Sequence, residues 1–428
     1  MRIIADLHIH GRYSRATSQK MNIEEIARFA KIKGLNLVGT GDFTHPQWLK
    51  ELEETLTPES DTGLYKVAKN PDLPVHFIIT SEVSTVFPFE KEIKKVHHVI
   101  LTPSIEIASQ INDKLATYGS LTVDGRPTLN MHAAQLVEEV MEVSSNNMVF
   151  PAHAWTPWFS IFGAFSGFNS VEECYQDMAK HIHALETGLS SDPPMNWRLS
   201  KLDKFALVSN SDSHSFWPWR LGREANVFEL EKLSYYEITE AIRLKDKRRF
   251  KFTIETDPAY GKYHWTGHRN CDVSLSPQEA IKHGNVCPVC RRKLTKGVEQ
   301  RVEELADRPA GFKPEGAIDF MRLLPLSEII ATVLSVDSPS TQQVWNIYNS
   351  LVAKFGDEYT VLIEASKEKL SEVVDERIAE AVIRVREGQI KIEPGYDGVY
   401  GRLIIFDEHL AEKTISKRVR QLNLADFI

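Results

Sequence analysis

Apolar positions in the first 240 residues come as short runs set between amphipathic stretches. Strands are predicted over 2–9, 35–40, 76–80, 98–101, 148–153, 184–187 and 206–211. Between several of them lie helical patterns, such as 23–32, with Asn22 placed as its cap, and 136–143. Alternation of this kind predicts βα units, a parallel sheet and an α/β barrel. Active sites of such barrels gather at the carboxyl ends of the strands, so those ends matter most. Beyond residue 303 the pattern is mixed α+β: helices over 326–330, 338–355 and 370–387, then a strand over 402–406. The loop 393–402 holds three glycines together with Tyr396 and Tyr400, a composition that allows close backbone approach to a partner.

The strand ends carry chemistry. Asp6, His8 and His10 close the first strand, and residues two apart in a strand share a face. Two imidazoles so placed can grip one ion at ~2.0–2.1 Å each. Asp42 follows the second strand, Glu82 the third, His153 the fifth, and Asp212 with His214 the seventh. A lone histidine is more often a satisfied core group, but repetition at strand after strand predicts a polynuclear metal site. Imidazole plus carboxylate suits zinc, manganese or iron. Arg12 and Arg15, just past the first pair, read as groups for a phosphate oxygen should the site act on one, or equally as ordinary surface arginines.

Composition narrows the setting. The 428 residues exceed one ordinary core, so two or three domains are expected. With 42% hydrophobic residues and no run of eighteen apolar ones, the chain reads as soluble, without a membrane partner. No signal-peptide pattern precedes the first strand, so a cytoplasmic location is expected. The net charge of −8 argues against a generally basic nucleic-acid binder and leaves room for a local basic surface. Three of the four cysteines crowd into 271–290, which in a reducing compartment suggests metal.

That crowded stretch is His268-Arg269-Asn270-Cys271, fifteen residues, then Cys287-Pro288-Val289-Cys290. The spacing predicts a structural zinc site, with His268 favoured as fourth ligand over His264 and His283. Zinc would replace a hydrophobic core that so short a module cannot build. Arg291 and Arg292 lie in its basic surface, suited to phosphates. Trp155 and Trp158 follow His153, and Trp217 and Trp219 follow His214; on loops beside a metal they are candidates to stack on a base. Asn210 and Ser209 are candidates to read a base's polar edge. The last eight residues resemble the clamp-binding peptide called the PIP box, in which Gln421, Leu424, Phe427 and Ile428 would engage a sliding clamp (PCNA).

Asp6-Leu7-His8-Ile9-His10, Gly41-Asp42, Glu82, His98, His153 and Asp212-Ser213-His214 together resemble the motifs of the PHP (polymerase and histidinol phosphatase) family. That resemblance implies a distorted (β/α)7 barrel over residues 1–245, a centre of up to three divalent ions (Zn, Mn or Mg) and phosphoester cleavage. It implies that His8, His10, Glu82 and Asp212 hold one ion. Glu82 would bridge to a second, held also by His98 and His153, and His214 with Asp42 or His45 would serve a third. Members often carry a further histidine after the first pair and another after the second-motif Asp; this chain has Arg15 and Phe43 there. Asp6 becomes a support for a ligand histidine. Ions so held make hydroxide available near neutral pH and neutralise phosphate charge.

Adding the zinc module (255–302), a C-terminal DNA-contacting region (303–420) with Gly-Tyr-Asp-Gly-Val-Tyr-Gly, and the tail (421–428), the whole chain resembles the endonuclease Q family. The resemblance implies a DNA repair endonuclease. It cuts 5′ to deaminated bases (uracil, hypoxanthine, xanthine) or abasic sites in double- or single-stranded DNA, with base flipping. Asp212 and Glu82 would be catalytic with Arg12 and Arg15. Two alternatives come from other classes. A small-molecule phosphatase such as histidinol phosphatase needs neither module nor tail, and a non-catalytic DNA-binding scaffold need not keep every ligand.

Overall fold

Ile3, Ile4 and Ala5 are buried on both faces of the first strand, as a strand covered on two sides requires. The computed structural model describes residues 1–406. In it β1 (Arg2–Asp6) runs parallel to β2 (Leu37–Gly39), and β2 parallel to β3 (His76–Phe89). The intervening helix Ile23–Lys33 starts where the sequence places it. Asn22 Oδ1 accepts from the Glu25 amide, and Gly34, at φ 97°, closes the other end in the left-handed region.

The third and fourth strands depart from the βα pattern. β3 continues to Phe89 and folds straight back as β4 (Glu92–Thr102), antiparallel along its whole length. The segment 80–87 holds Thr, Val and Phe at five of its eight positions, residues that favour extended backbone. Glu90, at φ 51°, makes the turn. β5 (Met148–Pro151) then pairs antiparallel with β4.

β6 (Ala184–Glu186) and β7 (Ala206–Val208) run parallel to each other. Single backbone bridges join Val149 to Ile182 and Ile9 to Ser213. The other edge of β1 pairs antiparallel with β8 (Ala225–Glu229), β8 with β9 (Phe250–Glu255), and β9 in parallel with β10 (Asp319–Arg322). The result is a mixed α/β fold built on an eleven-stranded mixed sheet.

Residues past 325 pack against the same core as the helix Ile23–Lys33, through Leu326, Val344, Tyr348 and Leu351. At that junction Lys33 Nζ, fully buried, donates to Glu358 Oε1 (2.7 Å) and to the Pro218 carbonyl (2.8 Å). Glu358 also accepts from the Tyr348 hydroxyl and the Leu326 amide. The predicted helix over 338–355 begins later, at Gln342 with Thr341 as cap. The one predicted over 370–387 is two, Lys367–Ser371 and Glu376–Arg386, because Asp375 caps a new start. No helix among the described residues is long and apolar enough to cross a membrane.

Candidate metal centre

His8 and His10 leave the end of β1 pointing the same way, and each has its Nδ1 claimed. Both oxygens of Glu186 lie 3.0 Å from His8 Nδ1, and Asp42 Oδ1 lies 2.9 Å from His10 Nδ1. A carboxylate partner fixes the proton on Nδ1, so both Nε2 atoms face inward as free donors of a lone pair. His8 Nε2 is buried with no hydrogen-bond partner. Such an orphaned atom, beside Glu82 Oε2 at 3.6 Å and Asp212 Oδ1 at 3.7 Å, fits a metal ligand. His10 Nε2 lies 3.2 Å from Glu82 Oε2 and 3.0 Å from Asp212 Oδ1. The ligand atoms of His8, His10, Glu82 and Asp212 fall within 4.8 Å of one another.

The other oxygen of Glu82 serves a second group. Glu82 Oε1 lies 2.7 Å from His97 Nδ1 and 3.1 Å from His153 Nε2. The histidine that joins Glu82 and His153 in this second group is therefore His97, in place of the His98 that the family resemblance implies. Pairing explains it: Ser84 lies opposite His97 and Val83 opposite His98, so only His97 shares Glu82's face. His98 turns away, its nitrogens bonded to Thr85 Oγ1 (2.8 Å) and the Tyr175 hydroxyl (2.7 Å). Burial would push Glu82 up, but Arg126, His97, His10 and His153 outweigh it and hold the carboxyl well below its usual range. Burial likewise opposes Asp212, and His10, His8 and His214 hold it low. Asp42, His153 and Asp212 all sit at positive φ (51°, 28° and 47°), strain of the kind that concentrates at functional sites.

Among the described residues, no third group gathers around Asp42, His45 or His214. Asp42 spends one oxygen on His10 and the other on the Gly11 amide (2.6 Å). His45 stacks on Tyr13, ring centroids 4.5 Å apart. His214 turns Nδ1 to the Asp212 carbonyl, and its ring packs 4.2 Å from His10. Asp6 supports the Asp212 loop and not a histidine: it accepts from the Ser211 amide and hydroxyl and from the Gly222 amide. Arg12 is held by Glu51 (2.5 Å), and Arg15 is exposed with its amide on Asp124, so neither contacts the ligand groups.

Two groups escaped the sequence reading. Glu186 ends β6, a position the strand-end rule marks; it orients His8 and accepts from the His153 amide at 2.7 Å. Arg126 donates to Glu82 Oε2 at 3.0 Å from a loop that no periodicity singles out.

The aromatic candidates divide. Trp155 is buried and donates to Asn196 Oδ1, so it is core. Trp158 is exposed and stacked on Phe165, and Trp217 is exposed and stacked on Trp219 at 5.1 Å. Asn210 and Ser209 face inward, bonded to Glu186, Leu7 and Ile254, and cannot read a base. Tyr396 donates to Asp272, and Tyr400 is exposed beside Lys262.

His268, Cys271, Cys287 and Cys290 place their ligand atoms within 4.8 Å of one another, whereas His264 pairs with Glu299 and His283 ends a helix. Burial works against the Cys287 thiolate, yet amides of Cys290 and Val289 bring it down to about 6. Both this set and the His/Glu/Asp sets fit divalent metals. Arg291 and Arg292 lie exposed next to it. The predicted clamp-binding residues Gln421, Leu424, Phe427 and Ile428 lie outside the described residues.

Comparison with known proteins adds to this geometry. A family model described as the MJ0043 C-terminal domain matches residues 325–389. Uncharacterized protein MJ0043 of Methanocaldococcus jannaschii is 32% identical over 256 residues, which span 59% of this chain and 31% of that protein. Uncharacterized protein YqxK of Bacillus subtilis is 26% identical, covering 94% of this chain and 99% of its own length. The lesion-specific endonuclease PfuEndoQ from Pyrococcus furiosus superposes with a TM-score of 0.85 at 36% identity, over 96% of this chain and 98% of that one. The chain belongs to the endonuclease Q family. A second endonuclease Q structure, in complex with a 27-mer duplex carrying an abasic lesion at the active site, superposes with a TM-score of 0.84 at 35% identity. It covers 97% of this chain and 100% of its own.

Proposed function

We propose that this endonuclease Q family member hydrolyses the phosphodiester 5′ to deaminated bases or abasic sites in DNA. Family membership makes it a lesion-specific DNA endonuclease; substrate range and cutting side are the finer reading. The observation that carries it is Glu82, one carboxylate shared between two ligand groups beside an orphaned, buried His8 Nε2. His8, His10, Glu82 and Asp212 would hold one divalent ion, and Glu82, His97 and His153 a second, drawn from Zn, Mn or Mg. Ions in such a site lower the pKa of water and neutralise phosphate charge.

The protein's own share is positional. Glu186 and Asp42 keep the imidazoles turned inward, and Asp6 fixes the loop that delivers Asp212. The exposed stacks of Trp158 and Trp217 with Trp219 supply flat apolar faces for an unstacked base.

The strands β1–β7 read as a seven-stranded barrel closed by the two single bridges. Residues 1–245 would form it, 255–302 a module held by structural zinc, 303–420 a DNA-contacting region, and 421–428 a peptide for a sliding clamp (PCNA). A cytoplasmic site of action suits this work.

The test is a gel assay on end-labelled duplex with one uracil, hypoxanthine or abasic site, in Mg²⁺ or Mn²⁺. A nick immediately 5′ of the lesion is expected. Asp212→Asn is expected to lower single-turnover cutting by about 100-fold or more while the same duplex still binds. Cutting at the wild-type rate removes Asp212 from the mechanism.

A further inference from the structure

Among the described residues, Arg126 is the one lysine or arginine ion-paired with a carboxylate of the two ligand groups. Nη1 uses a single bond, to Glu82 Oε2, and the side chain keeps 27% of its surface exposed. Nε and Nη2 therefore have donors to spare at the mouth of the centre. An arginine used only for structure is commonly satisfied at both ends of its fork, as Arg308 is by two bonds to Asp203.

The segment that delivers Arg126 is held closely. The Gly125 amide donates to the Tyr13 carbonyl, the Thr44 hydroxyl to the Gly125 carbonyl, and the Ser84 amide to the Pro127 carbonyl. A Cβ on Gly125 would lie 2.5 Å from Asp42 Oδ2 and 2.6 Å from Ser14 Oγ. The residue before Arg126 thus packs against the carboxylate that orients His10, and the residue after it hangs on the strand that carries Glu82. Position relative to the ligands is fixed, which a group aimed at developing charge needs.

We propose that Arg126 is a catalytic residue that binds the non-bridging oxygens of the scissile phosphate through Nε and Nη2. The planar fork matches phosphate oxygens bidentately, and its charge is permanent. Glu82 holds the guanidinium in place without using up its donors. The proposal rests on the endonuclease reading above.

Two measurements on the full chain test it. The first is binding of inorganic phosphate to the metal-loaded protein by calorimetry, with metal content measured by mass spectrometry. Arg126→Gln is expected to keep its metal and to bind phosphate about tenfold more weakly. The second is single-turnover nicking of an abasic duplex, where the same variant is expected to slow by about 100-fold, with partial rescue by added guanidinium ion. Arg126→Lys guards against a folding failure; it retains the charge without the fork and is expected to fall between the two. Unchanged phosphate affinity in Arg126→Gln overturns the proposal. Loss of metal from that variant also overturns it and makes Arg126 a positioning group for Glu82. A wild type that binds phosphate through Arg126 yet nicks no lesion duplex would instead refute the endonuclease reading.

Discussion

Single residues decide which atom faces the centre. A histidine offers two nitrogens, and here a buried carboxylate behind each of His8 and His10 takes one and leaves the other. Glu255, buried elsewhere in the sheet, has hydroxyl partners in place of an imidazole. Burial pushes Glu255 up to about 8, although Thr253 and Thr187 donate to it. The sign follows from linkage. Below the ordinary value of 4.5 the group is protonated in folded and unfolded chains alike, and costs nothing. Between 4.5 and about 8 only the folded chain keeps the proton, so stability falls as pH rises, by up to about 1.4 kcal/mol per unit. Urea unfolding at pH 5 and pH 7.5 checks this: wild type should lose stability relative to Glu255→Gln at the higher pH. A difference that stays constant between the two would contradict the assignment.

Elements decide which residues meet. Pairing along the hairpin of β3 and β4 puts His97 with Glu82 and sends His98 to the opposite face. His97→Ala should therefore lower the divalent-metal content of the purified protein, and with it the rise in melting temperature that added metal gives the wild type. His98→Ala should retain metal and lose its bonds to Thr85 and Tyr175, destabilising the fold by about 1–3 kcal/mol. The reverse pattern, read by mass spectrometry and thermal melts, would restore His98 as the ligand. This is also where the sequence stops being legible. His8, His10, Glu82, His153 and Asp212 are visible because each follows closely on an apolar run that is plain in the sequence, even where, as at Glu82, the strand itself continues. The choice between adjacent histidines depends on register with another strand, which periodicity within one strand does not encode. Arg126 is hidden for a related reason: its loop meets the centre through partners far away in the chain, among them Tyr13, Asp42, Thr44, Glu82 and Ser84. Glu186 was within reach, since the same end-of-strand rule that marks Glu82 marks it.

At the scale of the molecule, the C-terminal helices are not an appendage. Lys33 on the first helix and Glu358, just past the helix Gln342–Phe355, form a buried pair, with Tyr348 and the Leu326 amide completing the carboxylate's partners. Removing only the cation strands the charge. Lys33→Met should cost about 3–5 kcal/mol of unfolding free energy. Combining it with Glu358→Gln should recover part of the loss, as measured by chemical denaturation; a single variant as stable as wild type would mean the pair does not couple the two parts.

β9 and β10 lie side by side and run the same way, although residues 256–318 separate them. The Cys/His cluster thus sits on a detour that leaves the sheet and rejoins it one strand over, moored at both ends. Arg301 pins it between those ends as well, donating to the Phe162 and Phe168 carbonyls on the loop that follows His153, so the cluster is tied at three places to the fold that carries Glu82.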